Sequence, residues 1–121
     1  MDNLFQVYLF NVTFQEKDGS KERPIVTIFY NEQAFSFEVC GIYKARNKYK
    51  NNPYYSNFMY KIQDYKYAKL KYPSYINVAR PFNIPFTYLI GKKRLGKLSS
   101  KDAEELLNFY NKYWSERAEN D

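Results

Sequence analysis

Arg23-Pro24-Ile25-Val26-Thr27-Ile28-Phe29-Tyr30 reads as a buried strand around which the rest of the chain arranges itself. Its β-branched and aromatic residues suit a pleated backbone, and Pro24 stands second in the run, where a missing N–H does least harm to a ladder. Ile25, Thr27 and Phe29 are expected on one face and Val26, Ile28 and Tyr30 on the other. Both faces are then apolar, which places the strand at the centre of a sheet. The charged turn Glu16-Lys17-Asp18-Gly19-Ser20-Lys21-Glu22 comes immediately before it. Arg23 thus sits where rigid strand meets loop, and from there a guanidinium can be held in place and still reach a ligand.

Working outward, residues 4–14 (Leu-Phe-Gln-Val-Tyr-Leu-Phe-Asn-Val-Thr-Phe) read as a first strand. Ala34 to Ile42 alternates Phe35, Phe37 and Val39 with Ser36, Glu38 and Cys40, the pattern of a half-exposed strand. Tyr43 to Asn57 is polar, carries Asn47, Asn51, Asn52 and Pro53, and reads as a long functional loop. Phe58–Ile62 predicts a short strand and Asp64–Leu70 one or two helical turns capped by Asp64. Ser74–Ala79 and Thr87–Ile90 predict further strands, separated by a loop containing Pro81 and Pro85.

The chain closes on an amphipathic helix. Ser99 precedes Asp102 by three residues in the manner of a capping box, and Ala103, Leu106, Leu107, Tyr110 and Trp114 then recur on one stripe. Residues 1–115 form one expected domain, followed by an acidic tail, 116–121, that frays. The expected class is mainly β with α: a small sheet and a C-terminal helix.

The composition excludes several chemistries. The 121 residues contain no histidine and one cysteine, Cys40, so histidine triads, histidine metal sites and internal disulfides are ruled out. No carboxylate spacing suggests a metal cage, and neither a metal nor another cofactor is expected. Fourteen tyrosines and ten phenylalanines supply a core without cross-links. Met1-Asp2-Asn3 leads into a strand rather than a basic and apolar leader, and no apolar run spans a bilayer. With the lone cysteine this points to a cytoplasmic protein.

Charge is concentrated rather than spread. Between residues 44 and 71, Lys44, Arg46, Lys48, Lys50, Lys61, Lys66, Lys69 and Lys71 face one acid, Asp64, a local net of +7 against +6 for the whole chain. Tyr43, Tyr49, Tyr54, Tyr55, Tyr60, Tyr65, Tyr67 and Tyr72 alternate with these cations. Cations between flat rings suit the backbone and bases of a single-stranded nucleic acid. The same pattern also fits a solvated basic face with half-buried tyrosines covering a sheet.

The strand, the charged loop, the Arg-Pro-apolar strand and Lys93-Arg94-Leu95-Gly96-Lys97-Leu98-Ser99 running into the helix together resemble the MazF/PemK family of toxin endoribonucleases. Lys69-Leu70-Lys71-Tyr72-Pro73-Ser74-Tyr75-Ile76-Asn77-Val78 resembles that family's segment before its fifth strand, so the likeness covers nearly the whole chain. It implies a small SH3-like barrel of MazF/PemK type with a C-terminal amphipathic helix, commonly a homodimer, that cleaves single-stranded RNA without a metal and is restrained by a cognate antitoxin. The family's arginine before proline, here Arg23, takes part in catalysis. At the end of the third strand the family carries threonine or serine, and Tyr43 stands there in this chain.

Two functional readings follow. In the first, Arg23 clamps the scissile phosphate, Tyr43 or Glu22 assists proton transfer, and Lys17, Lys21, Lys44, Arg46, Lys48, Tyr49, Lys50 and Tyr55 grip RNA. In the second, the domain is catalytically silent and serves as a binding module or inhibitor that docks on nucleic acid or a nucleoprotein complex.

Overall fold

The computed structural model describes residues 4–12 and 21–119. Strands β1 (Gln6–Val12), β2 (Lys21–Asn31) and β3 (Ser36–Lys44) are followed by two short helices, α1 (Asn47–Asn51) and α2 (Pro53–Ser56). Then come β4 (Met59–Lys61), β5 (Ser74–Asn77), β6 (Phe82–Pro85), a 3-10 turn at Phe86–Tyr88, β7 (Arg94–Lys97) and α3 (Ser100–Glu119). The strands form one antiparallel sheet in the order β4-β5-β3-β2-β1-β7, with β6 also paired to β3. No pairing joins β4 to β7 among the described residues, so the sheet is open.

β2 is central, as its two-sided apolar pattern requires. Ile25, Val26, Thr27 and Ile28 have no exposed surface. Val26 and Ile28 join Val7, Cys40, Ile42, Ile76, Val78 and Leu98 in a core that meets Leu106 and Tyr110 of α3. Ile25 joins Phe37, Val39, Ile84 and Leu89 in a second, smaller core on the other face. The expected alternation breaks in one place. The β2–β3 register shifts between Thr27 and Phe29, and this bulge re-aims the following side chains. Phe29 then packs edge-on to Tyr110 of α3 at 5.5 Å, while Tyr30 packs on Phe37 at 4.8 Å.

β3 bends the sheet. Along one edge Ser36–Val39 pair with β6 and Ile42–Lys44 pair with β5, so the strand changes partner around Gly41. The expected alternation holds from Ser36 to Val39, where Phe37 and Val39 are buried and Ser36 and Glu38 are partly exposed. It fails at the two ends of the expected run: Cys40 is fully buried rather than outward, and Phe35 lies before the strand and is exposed.

Other expectations are corrected too. Thr87–Ile90 is not a strand; the strand is Phe82–Pro85, inside the proline segment read as a loop. β6 pairs only with β3, and proline is tolerated on an edge of that kind. Residues 43–57 are no loop: Asn52 accepts a hydrogen bond from Tyr54 N at 2.9 Å and Pro53 opens α2, so the turn chemistry builds helix instead. Residues 64–70 form turns rather than a helix, with Lys69 in the left-handed region at φ 66°, although Asp64 does accept from Tyr67 N as a cap does. α3 continues through Glu116 to Glu119, so the acidic segment is helical where it is described.

At the start of α3, Ser99 Oγ accepts from Asp102 N at 3.1 Å, the expected cap. The Asp102 carboxylate is fully buried and accepts from Tyr60 Oη at 2.7 Å, Gln63 N at 2.8 Å and Asp64 N at 2.9 Å. It pins the segment after β4 to the helix. Burial, followed by the bond to Asp102, pushes the Tyr60 hydroxyl well above its ordinary pKa of 10.

Candidate nucleic-acid interface

Arg23 lies in β2 opposite Phe10 of β1. The β2–β3 register pairs Ile25 with Gly41, and two residues further along it Arg23 faces Tyr43. The side chains meet: the guanidinium carbon lies 5.3 Å from the Tyr43 ring centroid, within cation–π range. Arg23 is half-buried and makes a further interaction besides this stack. Gly41 makes room for the ring, since a Cβ there would sit 3.1 Å from Tyr43 Cε1. Tyr43 in turn pairs with Tyr75 of β5, and Tyr75 with Lys61 of β4. Paired residues of antiparallel strands share a face, so Arg23, Tyr43, Tyr75 and Lys61 form a row across four strands.

The short helices extend this row. Tyr49 of α1 packs edge-on to Tyr75 at 5.4 Å and to Tyr55 of α2 at 5.3 Å. Tyr54 and Phe58 complete the cluster, with Tyr54 centred 5.0 Å from Tyr55 and 5.4 Å from Phe58. Lys48 Nζ sits 5.3 Å from the Tyr55 centroid and 5.6 Å from that of Tyr49, and Lys44 Nζ sits 4.2 Å from that of Tyr72. Arg46 and Lys50 are exposed beside them. Rings supported by one another, with cations over their faces, offer flat stacking surfaces next to positive charge.

The structure therefore brings Arg23, Tyr43, Lys48, Tyr49 and Tyr55 to one continuous region, whereas Lys44, the neighbour of Tyr43 in β3, leaves the opposite face and lies over Tyr72. Glu22 does not join them in the same way. It is the neighbour of Arg23 in an extended strand, so its side chain leaves the opposite face, and it is exposed there. Lys17 and the side chain of Lys21 lie outside the described residues. Two tyrosines counted with the basic rim point elsewhere: Tyr60 is buried on Asp102, and Tyr65 packs against the main core. Sequence reasoning missed Tyr75, whose place in the row depends on the pairing of β3 with β5, a contact with no local signal. Among the described residues no group of three or more His, Cys, Asp or Glu could hold a metal ion. No helix among them is long and apolar enough to cross a membrane.

In comparisons with known proteins, no family model and no curated protein matches this sequence.

Proposed function

We propose that the protein is a cytoplasmic, metal-independent endoribonuclease toxin that binds single-stranded RNA along the Arg23–Tyr43–Tyr49–Tyr55 track, with the buried Tyr75 as the support between Tyr43 and Tyr49. The observation that carries this reading is the stacked Arg23–Tyr43 pair at one end of a continuous row of rings and cations. Bases stack on tyrosine faces while Lys48 and Lys50 neutralise phosphates. The Arg23 guanidinium hydrogen-bonds the scissile phosphate and stabilises the charge that grows on its non-bridging oxygens. The ribose 2′-hydroxyl attacks the adjacent phosphorus and gives its proton to water, and the bond to the 5′-oxygen breaks as that oxygen takes a proton from water. The products are a 2′,3′-cyclic phosphate and a 5′-hydroxyl. Tyr43 orients the guanidinium and carries the nearest hydroxyl on β3. In this reading the sheet, bent where β3 passes from β6 to β5, is the curled sheet of a MazF/PemK-type SH3-like barrel. A cognate antitoxin and a second copy are its protein partners. Exposed Phe35, Tyr88 and Ile90 on the second-core side supply apolar surface for self-association.

The outward-facing position of Glu22, which supplies no base on the Arg23 face, favours the second reading, a silent RNA-binding module. Incubating the protein with a long single-stranded RNA in EDTA separates the two. Fragments with cyclic phosphate ends that disappear in Arg23→Ala support cleavage; intact RNA with salt-dependent binding supports the module. In both, Lys48→Ala with Lys50→Ala lowers the slope of log affinity against log salt by about 1.4, two contacts at about 0.7 each. An unchanged slope would remove these lysines from the interface.

A further inference from the structure

Away from this track, a cavity of about 330 Å³ opens between β1, β7 and the first turn of α3. Its volume is at the lower end of small-ligand sites. Leu4, Phe5, Leu98 and Ala103 supply its apolar lining, and Gln6, Tyr67, Ser100 and the exposed β7 residues Arg94 and Lys97 supply a larger polar part. The arginine is held rather than loose. Its Nη1 donates to Oε1 of Gln6, and Gln6 is only 6% exposed. Among the described residues the other donors of that guanidinium have no partner, so a planar fork is fixed in the lining with N–H groups to offer. The one acidic residue of the first turn of α3, Asp102, turns inward to Tyr60, Gln63 and Asp64.

We propose that this cavity binds a small organic acid, an oxyanion head on a short apolar stem. Arg94 receives the head bidentately, Lys97 adds charge, and the stem covers the apolar lining. A purely polar solute would leave that lining wet, and a neutral apolar one would leave the guanidinium without its acceptor. At about 30 Å³ per water the space holds roughly eleven waters, enough for a stem and head of about ten non-hydrogen atoms. Octanoate is of that size.

The test is a titration of the full-length protein with octanoate, octyl phosphate and octanamide, followed by amide chemical shifts. Octanoate should saturate with a Kd on the order of 1 mM, with shifts centred on Gln6, Arg94 to Leu98 and Ala103. Octanamide should bind at least about ten times more weakly, which isolates the charge, and the ranking of octyl phosphate against octanoate identifies the preferred head. Arg94→Gln and Lys97→Glu should each weaken octanoate at least about fivefold, and Lys112→Gln on the exposed face of α3 should not. Arg94→Gln alters a bond to buried Gln6, so Lys97→Glu, fully on the surface, carries the test should the first variant unfold. Equal binding of acid and amide, absence of saturation, or indifference to Lys97→Glu would overturn the assignment.

Discussion

Replacing Asp102 should cost more than any other single polar substitution in this fold. The carboxylate accepts from one phenol and two backbone N–H groups between 2.7 and 2.9 Å and from Ser99 Oγ at 3.3 Å, and has no exposed surface. Hydrogen bonds to a charged group contribute about 1.5–3 kcal/mol each. Not all of that is lost in Asp102→Ala. Tyr60 Oη also reaches Glu105 Oε1 at 3.2 Å, and Gln63 and Asp64 are exposed residues whose amides can turn to water. The Ser99 cap survives as well, since it uses the backbone N–H of residue 102. The expected loss is therefore about 3–5 kcal/mol, a large share of the roughly 5–15 kcal/mol typical of a whole domain. Asp102→Asn keeps one acceptor oxygen but turns an NH₂ toward a backbone donor, and should cost about 2–3 kcal/mol. Tyr60→Phe removes one donor and leaves the backbone pair in place, at about 1–2 kcal/mol. Urea unfolding at pH 7 measures the three, and hydrogen exchange supplies the local readout. The amides of Gln63 and Asp64 should lose protection in Asp102→Ala beyond the global change. If Asp102→Ala and Asp102→Asn both fall within about 0.5 kcal/mol of the parent, the clamp contributes nothing and the argument fails.

Two further outcomes follow from close packing and burial. A Cβ at Gly96 would sit 2.8 Å from the Ala68 carbonyl oxygen and 2.9 Å from Lys69 Cγ, so Gly96→Ala should push β7 off the 64–70 turn. A loss of about 1–3 kcal/mol, read as a lower Tm in a thermal scan, is expected; an unchanged Tm would mean that the turn yields freely. Burial, then the charge of Glu38, pushes the Cys40 thiol from 9.0 up to about 12. The unfolded chain ionises first as pH rises, so this thiol's contribution to stability is complete below about 9 and declines between 9 and 12. Native protein at pH 8 should resist iodoacetamide and react only after denaturation; rapid native labelling would contradict the burial.

The elements legible in the sequence were those whose cause is local. The apolar residues on both faces of Ile25 to Ile28 required a covered strand, and Ser99 with Asp102 required a helix start; both are observed. The missed elements have causes elsewhere in the chain. β6 has two prolines nearby and one buried residue, Ile84, and exists because the edge of β3 was available to pair with it. α1 and α2 are too short and too polar to show a period. Asp102 looked like a cap alone, because its other partners lie 38 to 42 residues away. For the same reason Tyr60 was grouped with the rim: nothing in its neighbourhood announces a buried carboxylate.

The candidate site inherits that division. Arg23 was legible because strand and turn signals meet at one residue, but what it stacks upon is set by topology. Had β3 kept the register it has with β6, Tyr43 would stand opposite Val78. Because β3 changes partner around Gly41, it faces Tyr75 instead, and through Tyr75 it joins Tyr49, Tyr55 and Lys48. The change of partner and the space over Gly41 serve the same end, since a side chain at that position would crowd the ring that supports the guanidinium. A cation placed by one hairpin and an aromatic surface placed by another become continuous only through the second partner of β3. That exchange of partners, rather than any single basic residue, is thus the structural cause of the proposed RNA track.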